Sequence, residues 1–203
     1  MAIKGYYFIT DASISSAGNI RDVKDAVAAG VRVVQYRNKC ASTKVMYDEA
    51  MLLRKICRNI LFLINDRVDI SLAVGADGVH LGQDDLPYAL ARRIMGKDKI
   101  IGVTVHSLKE AVRAQEQGAD YLGVSPIYAT TTKRDAGRPC GTGLIRQIKK
   151  HTKIPLIAVG GIHLTNAREV IAAGADGLCA LSAVVARPDC RGRIGQFQAL
   201  FKK

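Results

Sequence analysis

Tryptophan is absent from the 203-residue chain, and aromatic side chains are sparse altogether, with seven Tyr and four Phe. Basic residues outnumber acidic ones 30 to 18, a net charge of +12. No aromatics interleave with a basic stripe, as the stacking readers of single-stranded nucleic acid require, so nucleic acid is not an expected partner. No apolar run approaches the ~18 residues of a membrane span. The opening MAIKGYYFIT has too short an apolar stretch for a signal peptide and reads as a first strand, so a cytoplasmic protein with no membrane partner is expected. The five cysteines (Cys40, Cys57, Cys140, Cys179, Cys190) make no C-x-x-C pair and have no nearby His. That pattern argues against a zinc site and a disulfide framework and fits a reducing compartment. Cys40 and Cys140 sit beside polar motifs but read as incidental thiols. Also missing is a G-x-G-x-x-G turn after the first strand, the mark of a dinucleotide-binding open sheet.

What the chain does contain is one phrase used four times. AVGADGVHLG (73–82), EQGADYLGVS (116–125) and AAGADGLCAL (172–181) align on sight, and AAGVRVVQYR (28–37) is a looser relative. In each, a helix ends at a Gly suited to the left-handed position after a helix (Gly30, Gly75, Gly118, Gly174), a short turn follows, and an apolar strand begins. Three of the turns carry an Asp: Asp77, Asp120 and Asp176. The intervals between these glycines, 45, 43 and 56 residues, each hold two β-α units. Further strands are expected at 6–10, 61–64, 100–104 and 156–160, near-continuous apolar runs of the kind parallel strands buried on both faces show. Helical stripes lie between them, for instance Ile20, Val23 and Val27, or Leu108, Ala111 and Val112; Thr165-Asn166 offers capping groups to a helix ending at Ala173. Eight β-α units in one domain spanning 1–203 point to a (β/α)8 barrel, with a doubly wound open sheet as the runner-up.

In such a barrel the chemistry sits at the C-terminal ends of the strands. After the second strand, Gln35, Arg37 and Lys39 alternate and so face one way, making a clamp for an oxyanion or diphosphate. Asn65-Asp66 follow the third strand and Gly82-Gln83-Asp84-Asp85 the fourth. Carboxylates on neighbouring strand ends suit one hard cation, but the same residues suit the capping of the next helices equally well. Thr104 and His106 follow the fifth strand, and His106 reads best as a polar residue before the helix that Ser107 opens. His80 lies within the fourth strand, interior or site-lining; His151 and His163 read as surface residues. The long connection 126–141 begins with Ser125 and Pro126 and carries Thr130, Thr131, Thr132 and Lys133, hydroxyls and an ammonium suited to phosphate. Gly160-Gly161 after the seventh strand and Ser182 after the eighth occupy the recurrent phosphate-binding loops of barrels.

Taken in order, QYRNK, INDRVDISLAVGADGVHLGQDDLP, GVTVHS, GADYLGVSPIYATTTK, IPLIAVGGI and GADGLCALSAV resemble the thiamine-phosphate synthase family, over about 6–185. The resemblance implies a transferase joining 4-amino-2-methyl-5-hydroxymethylpyrimidine diphosphate to a thiazole phosphate or its carboxylate form, with release of pyrophosphate. It implies that Gln35, Arg37, Lys39 and Asn65 hold the pyrimidine diphosphate, that Asp66 and Asp85 bind Mg²⁺, and that Thr104 stands near the pyrimidine where Ser is usual. It further implies that Thr130, Thr132 and Lys133 meet phosphate or diphosphate oxygens, and that Gly161, Leu181 and Ser182 hold the thiazole phosphate. Arg37, Lys39 and Lys133 would assist catalysis. Ser125 replaces a frequent Gly and Ala129 a common Pro, and neither change removes a functional group. The rivals are a thiazole tautomerase on the same barrel, which would need an acid/base pair, and a non-catalytic phosphate- or nucleic-acid-binding barrel. Whether the chain forms a homo-oligomer stays open at this level.

Overall fold

The computed structural model describes residues 3–132 and 137–202. Its strands are β1 (Gly5–Tyr6), β2 (Phe8–Ile9), β3 (Val33–Tyr36), β4 (Leu61–Asn65), β5 (Gly78–Leu81), β6 (Ile100–Val105), β7 (Tyr121–Val124), β8 (Leu156–Val159) and β9 (Gly177–Cys179). Between them run α1 (Asn19–Ala28), α2 (Thr43–Ile56), α3 (Val68–Ala73), α4 (Tyr88–Met95), α5 (Leu108–Glu116), α6 (Gly141–His151) and α7 (Leu164–Ala172), with α8 (Leu181–Val185) and α9 (Cys190–Ala199) after β9. All strand pairs are parallel, in the order β1-β9-β8-β7-β6-β5-β4-β3-β2. The expected first strand is divided because its ends pair with different neighbours. The Tyr7 amide donates to Leu178 O at 2.9 Å, and the Thr10 amide to Gln35 O at 3.0 Å. One segment thus bonds β9 on one side and β3 on the other, which closes the ring. The open-sheet alternative falls with that closure, and the (β/α)8 barrel stands. Among the described residues no helix is long and apolar enough to cross a membrane.

Closure makes the period-2 alternation decide what each strand residue faces. In β3, Val34 and Tyr36 point out into the main core under the helices, while Val33 joins an interior cluster. In β4, Phe62 and Ile64 face out, and Leu61 and Leu63 face in. The interior layer comprises Ile3, Tyr7, Ile9, Val33, Leu63, Tyr121, Ile157 and Cys179. One step further along each inward series lie the residues of the rim, so a strand whose lower turns fill the core delivers its next inward side chain to the mouth.

The repeated Gly-Ala-Asp phrase proves to be structural. Its glycines take positive φ: Gly75 62°, Gly118 94° and Gly174 107°. Its aspartates each accept a backbone amide from the preceding strand: Phe62 to Asp77 at 2.7 Å, Ile101 to Asp120 at 2.8 Å, Leu156 to Asp176 at 2.8 Å. Each is also paired with a cation from an outer helix: Arg54 at 3.1 Å, Arg92 at 2.6 Å and Lys149 at 2.9 Å. Three equivalent staples therefore tie helix to strand at the end of the barrel opposite the mouth. Helix entries are fixed by side chains as well: Ser42 accepts from the Val45 amide, Ser107 from Glu110 and Asp189 from Gly192. The cap of α7 lies earlier than expected, at His163, with Asn166 reaching back to the His163 amide at 2.8 Å.

Candidate active site

The mouth of the barrel is a cleft whose walls include the ends of every inward series. Asp11 comes from beyond β2, Gln35, Arg37 and Lys39 from β3 and its continuation, and Asn65 and Asp66 from β4. His80, Gly82 and Asp85 come from β5 and its loop, Thr104 from β6, and Ser125, Thr130 and Thr132 from the loop after β7. Gly160 and Gly161 follow β8, and Leu181 and Ser182 follow β9. Residues separated by well over a hundred positions therefore converge on one rim, as the alternation argument requires. Of the expected site residues, Thr131 is exposed and outside this lining, and Lys133 lies outside the described residues.

Among the described residues, the rim cations Arg37 and Lys39 are held by carboxylates. Arg37 Nη1 donates to Asp11 Oδ2 at 2.6 Å, and Lys39 Nζ pairs with Asp66. Asp11 is 5% exposed and is fixed further by the Ser13 amide at 3.1 Å and its hydroxyl at 2.5 Å. Sequence reading passed over Asp11, although it directly follows the first strand, a position the rule that function follows strand ends would have singled out.

Asp66 and Asp85 are not helix caps. The cap positions of α3 and α4 are Arg67 and Pro87, and neither helix receives a side-chain cap. Asp85 instead turns back to accept the Gly82 amide at 2.6 Å. Burial raises the Asp85 carboxyl above its ordinary value, and the neighbouring Asp66 carboxylate raises it further. Asp66 has φ 61°, the one positive φ among described non-glycine residues. Two carboxylates pressed together, one on a strained backbone, form a like-charge pair that a hard cation would relieve. No cluster of three or more His, Cys, Asp or Glu with metal-binding arrangement occurs among the described residues. A cation bound by this pair would keep oxygen ligands from water or from a ligand, the habit of Mg²⁺. The donor set fits that ion.

The loop after β7 is tied down at its base. The Cys140 amide donates to Pro126 O at 2.9 Å and the Gly141 amide to Ile127 O at 3.0 Å. Glu169 of α7 then accepts from Tyr128 Oη at 2.9 Å and Thr142 Oγ1 at 2.7 Å, bonds that hold its carboxyl below the ordinary range. The space left by Gly160-Gly161 is taken up chiefly by this loop. A Cβ on Gly161 would meet Ala129 O at 2.6 Å, and one on Gly160 would meet Pro126 Cβ at 2.7 Å.

His80 stands at the floor of the cleft, bonded at Nδ1 to Tyr121 Oη and at Nε2 to Thr104 Oγ1, both 2.8 Å. His106 is a rim residue whose ring holds the Ser125 carbonyl, in keeping with its reading as a polar residue before Ser107. His151 bonds to a carbonyl of its own helix. The thiols of Cys57, Cys179 and Cys190 are buried and pushed up to about 12 by that burial, and Cys40 alone among the free cysteines is exposed. Neither a thiolate nucleophile nor a hydroxyl–imidazole–carboxylate triad forms at the rim among the described residues.

A closed (β/α)8 barrel carrying two cations and a carboxylate pair on its C-terminal rim defines an enzyme class that handles phosphorylated small molecules. Comparison narrows that class. Residues 6–184 match the family model described as thiamine monophosphate synthase. A thiamine-phosphate synthase of Methanosarcina mazei is 49% identical over 193 residues, 95% of this chain and 80% of the relative. One from Chloroflexus aurantiacus is 51% identical over 197 residues, covering 96% of this chain and 91% of the relative. The solved thiamine phosphate pyrophosphorylase of Pyrococcus furiosus superposes with a TM-score of 0.90 at 39% identity, over 97% of this chain and 94% of that one. The chain belongs to the thiamine-phosphate synthase family.

Proposed function

We propose that this chain, working as one barrel domain, condenses 4-amino-2-methyl-5-hydroxymethylpyrimidine diphosphate with 4-methyl-5-(2-phosphoethyl)thiazole, or its carboxylate form, to give thiamine phosphate and pyrophosphate. The observation that carries the reading is the meeting of Gln35, Arg37, Lys39, Asn65, Asp66, Asp85, Thr104, Thr130, Thr132, Gly161, Leu181 and Ser182 around a single cleft in a member of this family. Arg37 and Lys39 take the diphosphate, with Gln35 and Asn65 at the pyrimidine. Asp66 and Asp85 hold Mg²⁺, which when bound offsets negative charge on the diphosphate.

The reaction needs a leaving group stabilised and water kept from the cation. The bond between the pyrimidine methylene and diphosphate breaks, leaving a ring-stabilised cation, while Arg37, Lys39 and Lys133 meet the growing charge on the departing oxygens. Thr130, Thr132, Gly161, Leu181 and Ser182 anchor the thiazole phosphate so that its nitrogen captures the cation before water does. That nitrogen carries no proton to lose, so no general base is required. A thiazole tautomerase would require one, and the nearest imidazole, His80, has both ring nitrogens engaged in the barrel interior. The +12 charge suits two anionic reactants, and the proposal involves no nucleic-acid or membrane partner and a cytoplasmic setting.

Incubating the purified protein with both substrates and Mg²⁺ and assaying for thiamine phosphate and pyrophosphate tests the reading. Equimolar appearance of the two products is expected. Turnover of neither substrate in the presence of Mg²⁺ would overturn it.

A further inference from the structure

Beneath the cleft a line of hydrogen bonds runs through Tyr7, Tyr121 and His80, groups that the mechanism above does not use. Gln35 Nε2 donates to Tyr7 Oη at 2.8 Å, and Tyr7 Oη stands 2.7 Å from Tyr121 Oη. Tyr121 Oη is 2.8 Å from His80 Nδ1, and His80 Nε2 is 2.8 Å from Thr104 Oγ1. The chain crosses the barrel interior from β3 to β6, and its two ends, Gln35 and Thr104, are cleft-lining residues, whereas Tyr7 and Tyr121 are not. Tyr7, Gln35 and Tyr121 are each at most 2% exposed.

Two glycines make the room for it. A Cβ at Gly102 would fall 2.1 Å from the Tyr121 ring, and one at Gly123 would fall 2.9 Å from His80 Cε1. Both lie at inward positions, opposite His80 and Thr104 respectively in the strand register. An interior layer that aliphatic side chains fill elsewhere is here given over to two rings and their hydrogen bonds.

Each hydroxyl in the chain has one proton, so the links are not independent. Tyr7 accepts from Gln35, and its own proton then belongs to Tyr121. In that order Tyr121 would donate to His80 Nδ1, which would place the imidazole proton on Nε2, directed to Thr104. Thr104 is left to donate its proton away from the chain, and Gln35 is left with its carboxamide oxygen as the group the chain does not use. Burial raises both phenols above their ordinary value, so neither ionises to break the sequence.

We propose that Tyr121 is a positioning residue that sets the hydrogen-bond polarity of Gln35 and Thr104 together, and so makes the cleft select an amino-substituted ring bearing an anionic group. The proposal rests on the functional reading above. A carboxamide oxygen accepts from a ring amino group, and a hydroxyl proton faces a diphosphate oxygen. Reversing the chain would present a donor to the amino group and an acceptor to the anion, and both contacts would be lost. Because one proton order runs through all five groups, neither end can reverse without the other.

The test is Tyr121→Phe, which deletes the central oxygen and keeps the ring. KM for the pyrimidine diphosphate is expected to rise about tenfold, the effect of one buried hydrogen bond lost, with KM for the thiazole phosphate unchanged. Preference for the amino pyrimidine over its 4-oxo analogue should fall by about tenfold. Independently of activity, ¹⁵N spectra of histidine-labelled protein should show His80 as a single Nε2–H tautomer that becomes a mixture in Tyr121→Phe. Should that variant not fold, Tyr7→Phe cuts the chain one link away and is expected to give both kinetic results with the His80 tautomer kept, because Tyr121 still faces Nδ1. An Nδ1–H tautomer in the wild type, unaltered tautomer and analogue preference in Tyr121→Phe, or unaltered analogue preference in Tyr7→Phe would overturn the proposal. If the wild type makes no thiamine phosphate, the functional reading fails by itself, and the His80 tautomer still decides whether the polarised chain exists.

Discussion

Arg37 and Asp11 are 26 residues apart and form the least exposed ion pair on the rim, with side chains 18% and 6% exposed and 2.6 Å between them. A guanidinium held this way has lost its rotamer freedom before any ligand arrives, and its remaining donors are aimed by the pairing. The Asp11 charge also opposes an incoming anion. Asp11 is itself fixed by Ser13, so the orientation it gives the guanidinium is set against the charge it adds.

Asp11→Asn is accordingly expected to lower kcat/KM for the pyrimidine diphosphate by about tenfold, despite removing a negative charge. Steady-state kinetics at fixed Mg²⁺ and thiazole phosphate check this. An increase in kcat/KM would mean that the charge, not the orientation, is what Asp11 contributes.

The carboxylate pair gives a prediction of opposite sign for stability and activity. Neutralising Asp85 removes the repulsion from Asp66, so Asp85→Asn is expected to melt about 1–3 °C higher than wild type in chelator. The wild type should gain Tm on adding Mg²⁺ and the variant should not. Turnover should fall by at least about a hundredfold. Thermal melts with and without Mg²⁺ separate these effects, and an equal Mg²⁺ response in both proteins counts against the metal assignment.

Gly161 combines φ 64° with a backbone carbonyl where its Cβ would lie. Gly161→Ala is expected to cost about 2 kcal/mol or more, from left-handed strain and displacement of the loop at Ala129. Denaturant unfolding measures this loss. The same displacement should raise KM for the thiazole phosphate more than KM for the pyrimidine diphosphate.

Glu169 supplies a pH dependence. Its folded pKa is lowered from 4.5 by the bonds from Thr142 and Tyr128, so the folded protein favours the ionised form. The resulting stabilisation is complete above the unfolded value and is lost as pH falls through the depressed folded value. Glu169→Gln should therefore be less stable than wild type at pH 7, with the difference shrinking below about pH 4. Urea titrations across that range check the sign; a difference that grows on acidification contradicts it.

Much of the cleft was legible because strand alternation is local physics. Gln35, Arg37 and Lys39 had to share a face, and strand ends had to carry the chemistry once the chain was seen to alternate β and α. The caps misled at two places. Asp66 and Asp85 are equally good capping residues by type, and only the folded chain shows that Arg67 and Pro87 occupy the cap positions. The α7 cap lies at His163 because Asn166 turns back on it, a choice that Thr165-Asn166 as a string does not reveal.

The amino-acid order by itself determined the β-α alternation, the inward and outward faces of each strand, and the turns at which the repeated Gly-Ala-Asp phrase breaks its helices. These depend on spacing, φ preference and burial, which act within a few residues. The tertiary structure alone decided that the first strand would bridge β9 and β3, that Arg37 would lean on Asp11, and that Tyr7, Tyr121 and His80 would meet. Tyr7 and Tyr121 are 114 residues apart, and local preference carries no information across such a span. Their contact exists because ring closure brings opposite strands within reach and Gly102 and Gly123 leave the space between them.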